Sequence, residues 1–132
     1  MYQIIAIIEK GSDGMYSVRS DQHFGDEFFG GFGSTVSEAK EDFKMSVQEA
    51  ADSARAEGIQ VEEYAISYRY DLPSFFAAFD FINASKFAQY AGINESKMRQ
   101  YKSGVAYPGE RTAKKILGAI HSIGAELSSV SL

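Results

Sequence analysis

Apolar positions follow two different periods along this chain, and the change from one to the other divides it. Residues 1–9, MYQIIAIIE, are a run of β-branched and apolar side chains, which predicts a strand covered on both faces or nearly so. Gly11-Ser12-Asp13-Gly14 reads as a turn, and Tyr16 and Val18 alternate with polar residues over 15–19. Together these predict a β-hairpin. Residues 20–26 are polar and read as a loop. Residues 27–32 are a third strand candidate, in which Gly30, Gly31 and Gly33 suggest a bulge or a close approach by another chain. Phe28, Phe29 and Phe32 there mark either a partner-binding edge or plain core.

The period then lengthens. Ser34 or Thr35 is placed to cap a helix, with Glu38 completing a capping box. Val36, Ala39, Phe43, Val47, Ala50 and Ala54 recur at helical spacing on one face. Glu38, Glu41, Asp42, Glu49 and Asp52 fall opposite, and Gly58 ends the helix. Residues 61–70, led by Val61, Tyr64, Ile66 and Tyr68, return to a strand. The predicted order is β-β-β-α-β, with one helix covering one face of a small sheet.

Asp71-Leu72-Pro73 predicts a boundary, since proline leaves strand ladders and suits a helix entry. The expected domains are therefore 1–70 and 71–132, the first α+β and the second all-α. Residues 74–82 predict a short helix burying Phe75, Phe76, Phe79 and Ile82. Residues 110–127 predict a final helix with Ala113, Ile116, Leu117, Ile120, Ile123 and Leu127 on one stripe. Between them, residues 85–104 read as helix, tight turn, helix. Ala88 is small where two helices cross, Gly92 suits a left-handed turn, and Asn94 is placed to cap the second helix. Met98 and Tyr101 point to the core with Phe87, Ala91 and Ile93. Glu95, Ser96, Lys97, Arg99, Gln100 and Lys102 are left on an outer face. This order of small residue, glycine and apolar residue is the pattern of a DNA-reading helix-turn-helix. An ordinary antiparallel helix pair with a solvated face is the plainer alternative.

Charge sharpens the division. The chain has 132 residues and a net charge of −5. Residues 1–70 hold six Lys/Arg against thirteen Asp/Glu, a net −7, and residues 71–132 hold seven against five, a net +2. Phosphate contacts dominate affinity for DNA, so the second half is the one suited to approach it. So small a surplus favours two copies on two half-sites. There are no cysteines, which excludes disulfide and thiolate–metal frameworks and fits a reducing compartment. No apolar run is long enough for a membrane span, and IIAII is too short and too β-branched for a secretory segment. The expectation is a cytoplasmic protein without membrane attachment.

The first domain resembles the small β-β-β-α-β domain of HicB-family antitoxins. The opening YQIIAIIEK, the turn GSDG, MYSV, and Gly33-Ser34-Thr35-Val36-Ser37-Glu38-Ala39 carry the resemblance. That last run is similar to the Gly-x-Thr-x-x-Glu-Ala segment with which the family enters its helix. Residues 21–31, DQHFGDEFFGG, depart from the family's Pro-Asp-Leu-Pro-Gly-Cys-like run. The second domain resembles the Xre or lambda-repressor type of helix-turn-helix from 85 to 108 and on into the last helix. The resemblance implies a truncated ribonuclease H-like fold without a working active site. It implies a type II antitoxin that blocks a HicA-like mRNA-cleaving toxin with its first domain and represses its own operon with its second. An acidic domain can occlude a basic RNA-binding protein by electrostatic complementarity.

Two-metal ribonuclease chemistry needs clustered carboxylates. Asp13, Asp21, Asp26, Glu27 and Glu38 read instead as a solvated acidic surface. His23 and His121 lack the neighbours of a zinc site, and the glycines before the first long helix lack the lysine of a phosphate loop. The expectation is no enzyme, no cofactor and no metal. For DNA, Lys97, Arg99 and Gln100 are the candidates for base edges or phosphates, arginine for guanine and glutamine for adenine. Glu95 is a candidate acceptor from cytosine but better suits the positive end of the helix dipole. Ser96 shares their outer face. Ser85 and Gln89 fall where phosphate contacts are expected, and Lys102 and Tyr107 flank the loop beyond as candidates for DNA backbone contact, Tyr107 being equally suited to packing. The expected partners are a HicA-like toxin, operator DNA and further copies of the chain, as a homodimer or homotetramer. The alternatives are a stand-alone regulator whose first domain senses a ligand or oligomerises, and a nuclease.

Overall fold

The structure, a computed structural model, describes residues 2–24 and 27–132, of which 21–24, 27 and 28 by their backbone only. Two compact units, Met1–Ala78 and Phe79–Leu132, make up the chain. The class is α+β, and the sheet is mixed.

In the first unit, β1 (Tyr2–Lys10), β2 (Tyr16–Phe24) and β3 (Glu27–Gly33) form an antiparallel meander. Helix α1 (Val36–Ala56) then crosses to β4 (Tyr64–Tyr70), which lies parallel to β1. The strand order is β3-β2-β1-β4, so β3 and β4 are the sheet edges. β2 runs on to Phe24, where the polar composition of 20–26 had predicted a loop; its ladder with β3 carries a register irregularity between Arg19 and His23. Helix α2 (Leu72–Ala78) closes the unit.

The core lies between the sheet and α1. Ile4, Ala6 and Ile8 of β1 and Val18 of β2 meet Ala39, Phe43, Val47 and Ala50 of α1. The helical face expected from the spacing is thus the buried one, though Val36 is only half-buried. β1 is not covered on both faces: Ile5 and Ile7, pointing away from α1, are half-buried. Of the three phenylalanines expected near the third strand, Phe29 is core, its ring 6.4 Å from that of Phe43. Phe32 is 69% exposed, and the Phe28 side chain lies outside the described residues.

The glycines of β3 allow a close approach, but by the chain's own helix. A Cβ on Gly31 would stand 2.4 Å from the Phe43 nitrogen, and one on Gly33 2.5 Å from the Glu38 Cβ. That proximity lets α1 close the outer rim of β3. The backbone N–H groups of Gly30, Phe32 and Ser34 donate to Ser46 Oγ (3.3 Å), Asp42 Oδ2 (2.9 Å) and Glu38 Oε2 (2.9 Å). Acceptors four residues apart on a helix line up along one face, matching the alternate outward amides of a strand. Two of the five positions of the expected acidic helix face, Glu38 and Asp42, therefore satisfy this edge, together with Ser46.

The boundary expected at 71 falls later. Asp71 starts α2 by accepting the Ser74 amide (2.9 Å), and Ser74 Oγ accepts from the Lys10 amide (2.9 Å). The Phe75 ring meets Tyr70 edge-on at 6.3 Å. These contacts belong to the first unit. The helix ends at Ala78, short of Phe79 and Ile82.

The second unit holds α3 (Ala84–Ala91), α4 (Glu95–Ser103) and α5 (Glu110–Ser128). Phe87, Ala88, Met98, Tyr101, Ile116 and Ala119 are buried. Of the stripe expected on the last helix, Ile116 is buried and Ile120 and Ile123 are half-buried, while Ala113, Leu117 and Leu127 are exposed. Among the described residues no helix is long and apolar enough to cross a membrane.

Candidate nucleic-acid interface

The arrangement of α3 and α4 follows from a few residues. Asn83 caps α3 by accepting the Lys86 amide (3.0 Å). Gly92 ends α3 in the left-handed region, φ 71°, where a Cβ would cost about 1–2 kcal/mol. The Ile93 amide returns to the Ala88 carbonyl (2.9 Å), closing the turn. Asn94 then caps α4 by accepting the Lys97 amide (3.1 Å). Ala88 is fully buried at the α3–α4 contact, where a larger side chain would push the helices apart. A contact absent from the sequence reading completes the turn: Lys115 of α5 donates from Nζ to the Gly92 carbonyl (3.0 Å).

With Met98 and Tyr101 buried, helical spacing turns Ser96, Arg99, Gln100 and Ser103 outward, with Lys97 and Lys102 on the flanks. Ser96, Lys97, Arg99 and Lys102 are exposed, and Gln100 is half-buried. Arg99 makes no ion pair among those of the described residues, and its guanidinium stands on an exposed face beside amide and hydroxyl groups. Such a face can bind carbonyl and phosphate oxygens through charge-assisted hydrogen bonds.

Glu95 behaves differently. It is half-buried in the first turn of α4, and its Oε1 accepts from Gln89 Nε2 (3.0 Å). Both side chains are thereby tied across the turn, and Glu95 also sits at the positive end of the α4 dipole. Ser85 is half-buried on α3. Tyr107 is 79% exposed, so it does not pack. The sequence reading missed Asn83, Lys115 and Ser103. Asn83 offers a signal, an asparagine before a helical run; Lys115, distant in sequence, offers none.

Of the five candidate carboxylates for metal chemistry, Asp13 and Glu38 are described, and each is taken up within its own turn or cap. Asp13 accepts the Met15 amide within its own turn (2.9 Å), and Glu38 accepts from Ser34. The side chains of Asp21, His23, Asp26 and Glu27 lie outside the described residues. Among the described residues no group of three His, Asp or Glu side chains is placed to hold a metal ion. Compared with models of protein families, with curated proteins and with solved structures, the chain matches none.

Proposed function

We propose that this chain is a DNA-binding antitoxin. In this reading the second unit is a helix-turn-helix of the Xre or lambda-repressor type that binds the operator of its own operon. The first is a truncated ribonuclease H-like domain that blocks a HicA-like RNA-cleaving toxin. The observation that carries the DNA-binding half is the face of α4. Arg99 and Gln100 project between Lys97 and Lys102 from a helix whose start is fixed by the Asn94 cap and the Gly92 turn. The toxin-binding half rests on the HicB-like order of elements and motifs and on the acidity of the first unit. Residues 1–78 hold six Lys/Arg against fourteen Asp/Glu, a net −8, and residues 79–132 hold seven against four, a net +3.

A stand-alone regulator is the second reading. The open edge of β4 favours it, because a first unit that only joins copies would need such an edge. Two measurements separate the readings. Co-purification with the product of the neighbouring reading frame, followed by RNA cleavage by that product with and without this chain, tests the antitoxin role. Silenced cleavage supports it; a partner without such activity leaves the stand-alone regulator. Operator binding tests the interface common to both. Arg99→Ala removes a bidentate donor and is expected to weaken specific binding by about 1–3 kcal/mol. Unchanged affinity in both Arg99→Ala and Lys97→Ala would remove α4 as the reading helix.

A further inference from the structure

The two edges of the sheet are treated differently. The amides of Gly30 and Phe32 on β3, and of Ser34 just beyond it, are taken up by Ser46, Asp42 and Glu38. Among the described residues β4 pairs with β1 alone, and no helix of the unit is packed along its outer rim. The Tyr2 amide donates to the Glu63 carbonyl (2.8 Å), which sets the phase of the parallel ladder. Residues 63, 65, 67 and 69 turn their main-chain groups toward β1, and the even residues from Tyr64 to Tyr70 turn theirs outward. Beside this rim, α1 covers the β4 end of the sheet only in part, leaving Tyr64, Ile66 and Tyr68 half-buried. A shallow groove results, floored by Tyr64, Ile66 and Tyr68 and walled by Lys44, Met45 and Gln48. Met45 is 61% exposed, and Tyr68 Oη is buried with no hydrogen-bond partner among the described residues. An open edge beside an apolar groove is a template for strand addition.

We propose that the occupant of this edge is β4 of a second copy, paired antiparallel about a two-fold axis at Ser67. The sequence of β4 suits itself in that register. Tyr64 falls opposite Tyr70 and Ile66 opposite Tyr68, all on the groove face. Aromatic and β-branched residues facing one another are favourable cross-strand pairs. The main-chain groups of Ile66 and Tyr68 also point outward, so that pair exchanges two hydrogen bonds. On the other face Ala65 meets Arg69, and Glu63 lies diagonal to the second copy's Arg69, within reach of a long side chain. Asp71, which would crowd Glu63, is occupied in capping α2. This pairing does not rest on DNA reading or on toxin binding, and it would bring two copies together in the absence of either.

Ser67 is exposed and the chain has no cysteine, so a single introduced thiol reports the pairing directly. The axis makes Ser67 its own non-hydrogen-bonded partner, with Cα atoms about 4.5 Å apart, inside the range of about 4.4–6.8 Å that a disulfide spans. The full-length Ser67→Cys variant is expected to form a disulfide-linked dimer more than about tenfold faster than Ser37→Cys, an exposed site on α1, because pairing raises the local thiol concentration. Sedimentation of the cysteine-free chain is expected to show a reversible dimer. Arg69→Glu should weaken that dimer about tenfold, since two diagonal pairs change sign, and Glu63→Arg with Arg69→Glu should restore it. Both substitutions lie on exposed positions, so far-UV circular dichroism should match the parent chain. Cross-linking at 67 no faster than at 37 would overturn the proposal. So would a chain that stays monomeric, a dimer indifferent to both charge variants, or a Ser67→Cys thiol that cross-links to a co-purified protein instead of to itself.

Discussion

Gly31 has no room for a Cβ, because the space belongs to the α1 backbone at Ala39 and Phe43. Neither backbone can swing aside as a flexible side chain would. Gly31→Ala is expected to cost about 1–3 kcal/mol, the range for overpacking a well-packed core, read as a lower midpoint in urea denaturation. Gly14 offers a control, since no atom of the described residues stands within 4 Å of a Cβ there. Its positive φ still penalises alanine, but without moving the helix. In the second unit, the Asn94 side chain accepts the Lys97 amide, a bond that decides where α4 begins. Asn94→Ala should lower stability by about 1 kcal/mol. It should also weaken DNA binding beyond that loss, because the first turn of α4 presents Ser96 and Lys97.

At the scale of elements, the start of α1 is the most locally determined junction. Thr35 Oγ1 accepts the Glu38 amide (3.1 Å), while the Glu38 carboxylate accepts from the Ser34 hydroxyl (2.6 Å) and amide. These bonds, the hydroxyl first, hold the Glu38 carboxyl below the usual glutamate range. A carboxyl depressed in the folded state stabilises it fully above the pH where the unfolded chain's glutamate ionises. That contribution disappears as pH falls through the lower folded value. The lead in thermal midpoint of the parent chain over Glu38→Gln should therefore shrink on acidification, a comparison scanning calorimetry can make. This junction was legible in the sequence, because a capping box lies within five residues. So were the buried face of α1 and the α3–α4 turn, each fixed by spacing or by one glycine and one asparagine. β2 beyond Ser20 was not legible, since its pairing partner rather than its own polar side chains makes it a strand. Nor was the role of Asp42 and Ser46, because a side chain that satisfies a distant strand looks in sequence like any solvated helix position. The incomplete burial on α5 has a similar origin: periodicity marks a stripe, but only the neighbouring helices decide how much of it is covered.

The whole molecule carries its charge unevenly, with the basic residues of α4 on a chain that is acidic in sum. Two copies presenting Lys97, Arg99 and Lys102 would neutralise about six phosphates. Operator affinity should then fall about a thousandfold between about 50 and 200 mM salt, a slope that fluorescence anisotropy can follow. A much shallower slope would mean that fewer of these side chains meet the backbone. The closed rim of β3 has a consequence at this scale too. A sheet with two sticky borders can recruit neighbours on both sides and grow without limit into fibres. Here Glu38, Asp42 and Ser46 seal one border, so any strand added at the other ends the process in a single step. The same three side chains that fasten a helix to its sheet thus make edge-to-edge growth a dead end.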